Sequence, residues 1–263
     1  MVTDEVAAEL LGFAARLADA AGEVIRRYYR APIAVESKAD ASPVTIADRE
    51  AEQVLRAMIR ATYPDHGIDG EEFPPERLEA ELVWHLDPID GTKSFVVGRP
   101  LFGTLIALTR ADRPILGVID QCILGERWLG AVGQGSTWNG QAIRCRSCSA
   151  LENAVLSVTS PQMFSAPERT AVSRLERAVR FPVYGGDCYG YGLLAMGFID
   201  LIVEADLEVH DFMALVPVIE GAGGVVSDWQ GAPLTPASDG RVVASGDQRV
   251  HESALELLAL TND

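Results

Sequence analysis

The chain has 263 residues, 48% hydrophobic and 23% charged, enough to bury a sizeable core as one large domain or as two compact halves sharing a cleft. With 22 Lys and Arg against 38 Asp and Glu, the formal charge of -16 argues against a large basic surface, so no nucleic-acid partner is expected. No apolar run approaches the roughly 18–20 residues of a membrane helix, and Asp4, Glu5 and Glu9 spoil a signal peptide, so the expected setting is the cytoplasm, away from membranes.

Over 6–28 apolar residues, among them Leu10, Phe13, Leu17 and Ala21, recur at the spacing of one helix face. A second helix is predicted over 45–59, with Thr45 and Asp48 at capping-box spacing and Ala47, Ala51, Val54, Leu55 and Met58 on its buried side. Asp48 thus has a structural job available. Leu82-Val83-Trp84 reads as a strand, and it leads into Leu86-Asp87-Pro88-Ile89-Asp90-Gly91-Thr92-Lys93-Ser94-Phe95, in which two carboxylates stand three residues apart across a proline. Pro88 lacks a backbone donor and fixes its own φ, so the chain is expected to leave the strand there with both carboxylates aimed at one point. Asp90 is placed to cap a helix opened by Gly91 and Thr92, whose unpaired N–H groups and positive dipole end suit a phosphate. The same residues also suit a tight turn with a capping aspartate.

Between 101 and 144 short apolar runs broken by Gly, Pro and Asn139-Gly140 predict an antiparallel meander. Beyond about 150 strands (154–158, 181–184, 199–204, 225–227, 242–244) alternate with helices (167–179, 189–196, 211–220 and one from Asp247). An α+β half, 1–145, carrying most of the acidic signals is therefore expected to be followed by an α/β half, 146–263, carrying Asp211 and further acids. Four cysteines are too few to staple such a chain; Cys145 and Cys148 lack a second pair at zinc-ribbon spacing, and all four read as reduced thiols. If an acidic chain is to bind an anionic phosphate ester, a bound cation is the obvious source of positive charge.

Two further acidic signals stand beside Asp87 and Asp90: Asp69-Gly70-Glu71-Glu72, and Asp211 at a helix start, where a cap is the commoner role. Taken with Lys38 to Asp48, which includes Ser42-Pro43-Val44-Thr45, and with Gly221-Ala222-Gly223-Gly224, these segments, in this order and spacing, resemble the inositol monophosphatase family of magnesium-dependent, lithium-sensitive phosphatases over nearly the whole chain. Lys93, Gly98-Arg99-Pro100-Leu101-Phe102-Gly103 and Gly185-Gly186-Asp187-Cys188-Tyr189-Gly190-Tyr191 look like its histidinol-phosphatase subset.

The resemblance implies the layered α-β-α-β-α sandwich of the inositol monophosphatase and fructose-1,6-bisphosphatase type, and commonly a homodimer. It makes Glu71, Asp87, the Ile89 carbonyl, Asp90 and Asp211 ligands of two or three Mg²⁺ ions. Asp48 and Thr92, hydrogen-bonded to each other, would orient the attacking water with Glu71, and Gly91 and Thr92 would hold the phosphate. The reaction implied is direct attack by metal-activated water on a small phosphate monoester, without a phosphoenzyme. Histidinol phosphate carries an ammonium and an imidazole, so its pocket should supply acids. Asp187 and Glu204 meet that need, although each also reads as an ordinary loop or strand-end acid. Inositol-1-phosphate or another sugar phosphate is the alternative ester. The family also includes members that act as protein partners in RNA metabolism. His210 departs from the family's usual aromatic residue before Asp211; it could stack on an imidazole or be a partly exposed histidine. Lys93 could add charge at the phosphate or be solvated.

Overall fold

The computed structural model describes residues 4–32, 35–37 and 43–259, so residues 38–42 of the segment before Asp48 lie outside the described residues. The chain opens with α1 (Asp4–Tyr28), a ribbon of β1 (Val35–Ser37) and β2 (Pro43–Thr45), and α2 (Ile46–Thr62). The start of α2 follows from its capping residues: Thr45 Oγ1 accepts from Ala47 N at 3.1 Å, and Asp48 Oδ2 accepts from Thr45 N at 2.9 Å and from Thr45 Oγ1 at 2.6 Å.

Next come β3 (Gly67–Gly70), β4 (Leu82–Asp90), the short helix α3 (Thr92–Val96), β5 (Gly103–Arg110), β6 (Arg113–Gln121), β7 (Glu126–Ala131), β8 (Gly135–Trp138) and β9 (Gln141–Ala142). They form a seven-stranded sheet in chain order, antiparallel except for the parallel β3–β4 pair. Both faces of this sheet are covered. Ile106 and Leu108 of β5 pack with Phe13 and Leu17 of α1 and Ala51 and Leu55 of α2, while Leu105 and Ala107 turn the other way, as the two-residue period of a strand requires.

The rest of the chain is β10 (Val155–Val158), α4 (Ala166–Ala178), β11 (Phe181–Tyr184), α5 (Asp187–Ala195), β12 (Leu201–Glu204), α6 (Val209–Phe212), α7 (Leu215–Gly221), β13 (Val225–Ser227), β14 (Val242–Ser245) and α8 (Gln248–Ala259). The sheet order is β11-β10-β12-β14-β13, with β10, β11 and β12 parallel and β14 antiparallel to its neighbours. A middle core joins Leu105, Ala107, Ile119 and Trp128 of the first sheet to Tyr191, Leu194, Phe212 and Val218 of α5, α6 and α7. Residues of α4 and α8, such as Val172, Leu175, Ala254 and Leu258, cover the far face of the second sheet. The layers thus run helices, sheet, helices, sheet, helices, the expected sandwich.

Two expectations are corrected. The helix over 211–220 is two pieces, α6 and α7, because Pro217 has no N–H to return to the Met213 carbonyl. The chain also does not leave β4 at Pro88; the strand continues to Asp90 with a register shift.

The middle helices sit directly on sheet backbone. A Cβ on Gly117 would stand 2.0 Å from the Ala214 carbonyl oxygen, and one on Gly130 would stand 2.3 Å from that of Pro217. Gly117→Ala is expected to cost on the order of 2–3 kcal/mol, read as a fall in Tm of roughly 5–10 °C by calorimetry. Gly12→Ala in α1, where a Cβ meets nothing closer than Arg16 Nη1 at 3.8 Å, is expected to do the opposite and add about 0.5–1 kcal/mol.

Candidate active site

Residues 87 and 90 are an odd number of steps apart, so in a regular strand their side chains would point to opposite faces. Here Asp87 pairs with Leu105 and Asp90 with Gly103, three steps on β4 against two on β5. That extra residue is a β-bulge, and it turns the two carboxylates to one side. Thr104 Oγ1 donates to the Pro88 carbonyl at 2.8 Å and Ile89 N donates to Asp87 Oδ1 at 2.9 Å, which fixes the distortion. Asp211 arrives from α6, and one carboxylate oxygen from each of Asp87, Asp90 and Asp211 lies within 4.8 Å of the other two. Glu71 follows β3, its N–H donating to the Leu86 carbonyl at 3.2 Å, and its carboxyl stands near enough to Asp87 to push the Asp87 pKa up.

These acids resist ionising together. Burial first, then Glu71, Asp90 and Asp211, pushes the Asp87 carboxyl well above the ordinary range. Asp90 is raised as strongly by burial, with Asp187 and Asp211 adding to it and the Cys188 N–H, which donates to Asp90 Oδ2 at 2.5 Å, opposing. Burial raises Asp211 too, opposed by His210, whose Nε2 stands 3.6 Å from Asp211 Oδ1. Among the described residues His210 is the only ion-pair partner these three carboxylates find. Oxygen donors that are largely buried, mutually repelling and without a matching side-chain cation fit a hard divalent ion such as Mg²⁺.

The other expected site residues gather around this cluster, with three differences from the sequence reading. Asp48 is 1% exposed and senses the charges of Glu72 and Glu71; burial lifts its pKa to about 6. Its Oδ2 is occupied by the α2 cap, and Oδ1 is buried without a hydrogen-bond partner. The expected Thr92–Asp48 hydrogen bond is absent, because the single proton of the Thr92 hydroxyl goes to the Ile89 carbonyl at 3.1 Å. Nor does Asp90 cap α3: Gly91, at φ 88°, holds that position without a side-chain bond, and Asp90 serves the start of α5 instead. Finally, α3 has only five residues, so a phosphate there would rest on the local N–H groups of Gly91 and Thr92 rather than on a long helix dipole.

Asp187 leans over this turn; a Cβ on Gly91 would stand 2.9 Å from Asp187 Cγ. Burial lifts Asp187 to a pKa of about 6 against the pull of Ser94, whose hydroxyl donates to Asp187 Oδ2 at 3.2 Å, and of the exposed Lys93. Glu204 ends β12, 3% exposed, and accepts from Thr159 N at 3.1 Å and from the Tyr191 hydroxyl at 2.9 Å; burial lifts it to about 7. Asp90, Asp187, Glu204 and Asp211 share one small hollow with Tyr191. His210 is partly exposed, 12% at its side chain. Asp69, part of the same acidic run as Glu71, pairs instead with His85 Nδ1 at 3.3 Å. Sequence reasoning gave no role to Tyr191 or Ser94, although both stand in segments it had singled out. Glu52, which holds the backbone around Glu71, carries no local signal at all on α2.

The inositol monophosphatase family model matches residues 7–261. A protein of Arabidopsis thaliana, bifunctional phosphatase IMPL2, chloroplastic, is 50% identical over 251 residues, 92% of this chain and 72% of its own. A histidinol-phosphatase of Chlorobaculum parvum is 35% identical, covering 89% of this chain and 92% of its own. Among solved structures, an inositol monophosphatase from Zymomonas mobilis superposes with a TM-score of 0.89 at 47% identity, over 96% of this chain and 98% of that one. The carboxylate cluster and the layered fold thus sit in a chain that belongs to the inositol monophosphatase family and is a phosphatase of that metal-dependent kind.

Proposed function

We propose that this phosphatase hydrolyses L-histidinol phosphate, using Mg²⁺ held by Glu71, Asp87, the Ile89 carbonyl, Asp90 and Asp211. The observation that carries the substrate is the pair Asp187 and Glu204, one half-buried and one buried acid opening on the same hollow as Asp90 and Asp211. An uncharged polyol can only donate hydroxyls to them, whereas a leaving group that carries an ammonium or imidazolium also offsets their charge. The histidinol-phosphatase among the relatives supports this ester. The inositol monophosphatase among the similar structures supports inositol-1-phosphate as the second reading, with the same chemistry.

When bound, Mg²⁺ supplies the charge that lets a dianionic phosphate enter, polarises its oxygens and lowers the pKa of a water. The chain's own groups do the rest. Ile89 O has a second lone pair beside the one given to Thr92, so it can accept both partners. The N–H groups of Gly91 and Thr92 hold phosphate oxygens at the turn after β4. Asp48 Oδ1, buried and unpartnered, and the Thr92 hydroxyl oxygen, whose lone pairs stay open while its proton goes to Ile89 O, are the acceptors through which the attacking water is oriented, and Glu71 is positioned to take the water's proton. Displacement in line then needs no covalent intermediate. We also infer a small-molecule ester as the sole partner apart from a second copy of the chain, as in a homodimer. Four free thiols agree with a reducing compartment such as the cytoplasm. Among the described residues no helix is long and apolar enough to cross a membrane.

Asp87→Asn and Asp211→Asn are each expected to lower phosphate release on the order of 10³-fold, equivalent to about 4 kcal/mol of barrier. Retained hydrolysis in both would remove them from the ligand set, and a purely partner-binding role would survive both. The same Asp87→Asn change is expected to raise the metal-free Tm by roughly 2–5 °C, since it removes one charge from a buried repelling group. The sign follows from the raised carboxyl: an acid whose folded pKa lies above its unfolded value destabilises the fold as pH climbs through that pKa. Calorimetry in a chelator, from pH 5 to pH 8, should show the wild-type chain losing ground to Asp87→Asn as pH rises, and Mg²⁺ should reverse the order. For the substrate, kcat/KM should favour histidinol phosphate over inositol-1-phosphate by about 10-fold or more, and Asp187→Asn should narrow the gap. No preference in the wild-type chain would end the histidinol assignment.

A further inference from the structure

Helix α2 carries a buried ion pair that the chemistry above leaves unused. Glu52 is 0% exposed and Arg56 2%, one turn apart, with Arg56 Nε donating to Glu52 Oε1 at 2.7 Å. Such a pair adds little net stability by itself, because desolvating two charges offsets their attraction and an apolar pair of similar volume often serves as well. The remaining hydrogen bonds all go to one segment, residues 72–76. Glu52 Oε2 accepts from Glu72 N at 2.7 Å. Glu52 Oε1 fills the space that a side chain at Gly70 would need, 2.3 Å from where a Cβ would stand. The Glu52 carboxylate therefore bonds the backbone just after Glu71 and packs against the glycine just before it. Arg56 Nη2 donates to Phe73 O at 2.8 Å, and Nη1 to Pro74 O at 3.1 Å and to Glu76 Oε1 at 2.8 Å. Glu76 closes the far end by exchanging backbone bonds with Ile68 at 2.8 and 2.9 Å. On the opposite side, Glu71 N is tied to the carbonyl of Leu86, the residue before Asp87.

We propose that Glu52 and Arg56 are positioning residues for the metal site, clamping the 70–76 segment to α2 so that the Glu71 carboxylate is held against Asp87 before any cation arrives. The proposal rests on the reading of Glu71 as a ligand. A carboxylate held in advance does not have to lose loop freedom on binding, so loosening the clamp should weaken metal affinity while leaving the reacting groups in place. Glu52→Gln removes the charge that fixes Arg56, and Arg56→Lys keeps a charge but cannot fork to several acceptors.

The test is Mg²⁺ titration of the full chain by calorimetry, without substrate, on the wild type, Glu52→Gln, Arg56→Lys, Glu71→Gln and the double variant Glu52→Gln with Glu71→Gln. Each clamp variant should bind Mg²⁺ about 10-fold more weakly while kcat at saturating Mg²⁺ stays within about twofold of wild type. On the Glu71→Gln background Glu52→Gln should add no further loss, because the group it positions is gone. Wild-type affinity in both clamp variants overturns the proposal while the ligand reading stands, provided Glu71→Gln itself weakens binding. An equal loss from Glu52→Gln on both backgrounds also overturns it, since that marks general loosening. If Glu71→Gln binds Mg²⁺ as the wild type does, the ligand reading fails and the proposal falls with it.

Discussion

Between Asp87 and Asp90 strand β4 uses three residues where β5 uses two, and this bulge is the constraint on which the rest of the site depends. Without it, one carboxylate of the pair would face the core that holds Phe13, Leu86 and Phe102, where nothing could offset its charge. A proline is tolerated at this point for a definite reason. The parallel partner β3 ends where Gly70 pairs with Leu86, so beyond that residue β4 has one neighbour instead of two. The missing N–H of Pro88 therefore leaves no acceptor unserved.

Each of the three clustered carboxylates spends one oxygen on a backbone N–H: Asp87 on Ile89, Asp90 on Cys188 and Asp211 on Glu208. The bonds fix direction rather than neutralise charge. Burial and repulsion still push all three pKa values up, so without a cation the fold carries a local cost at neutral pH. The rest of the structure sustains that cost through three extensive apolar layers, which is how a site poor in charge balance persists in a stable fold.

The amphipathic helices and the meander were legible in the sequence because their periods of 3.6 and 2 are written locally. The acidic residues were legible as candidates, and their convergence came from resemblance rather than from pattern. The bulge could not be read, because a register shift is a property of two strands, and Pro88 alone suggests only an exit from the strand. The Thr92–Asp48 bond failed because the Thr92 hydroxyl gives its one proton to the Ile89 carbonyl, while Asp48, with one oxygen on the helix cap visible at 45–48, keeps the other unpartnered. The break between α6 and α7 was foreseeable from Pro217. Glu52 was not: on a helix wheel it is one more acid, and its function depends on a segment twenty residues away.

The two sheets present their chemistry at equivalent ends. Glu71 follows β3, and Asp87 and Asp90 close β4, which runs parallel to it. In the second sheet, Thr159 follows β10, Asp187 comes after β11 and Glu204 ends β12, all three parallel. Carboxyl ends of parallel strands are where side chains and free N–H groups emerge from a sheet without interrupting its ladder. Two such edges, brought face to face by the middle helices, enclose one cleft from opposite sides. On the proposed reading, the first sheet supplies the acids that hold the cation and the second those that face the group that leaves. Asp211, on the middle layer, belongs to neither sheet and faces both. Because α7, directly after that layer's Asp211, sits on the bare backbone of Gly117 and Gly130, the spacing of the two sheets and the spacing of the carboxylates are set by the same contacts.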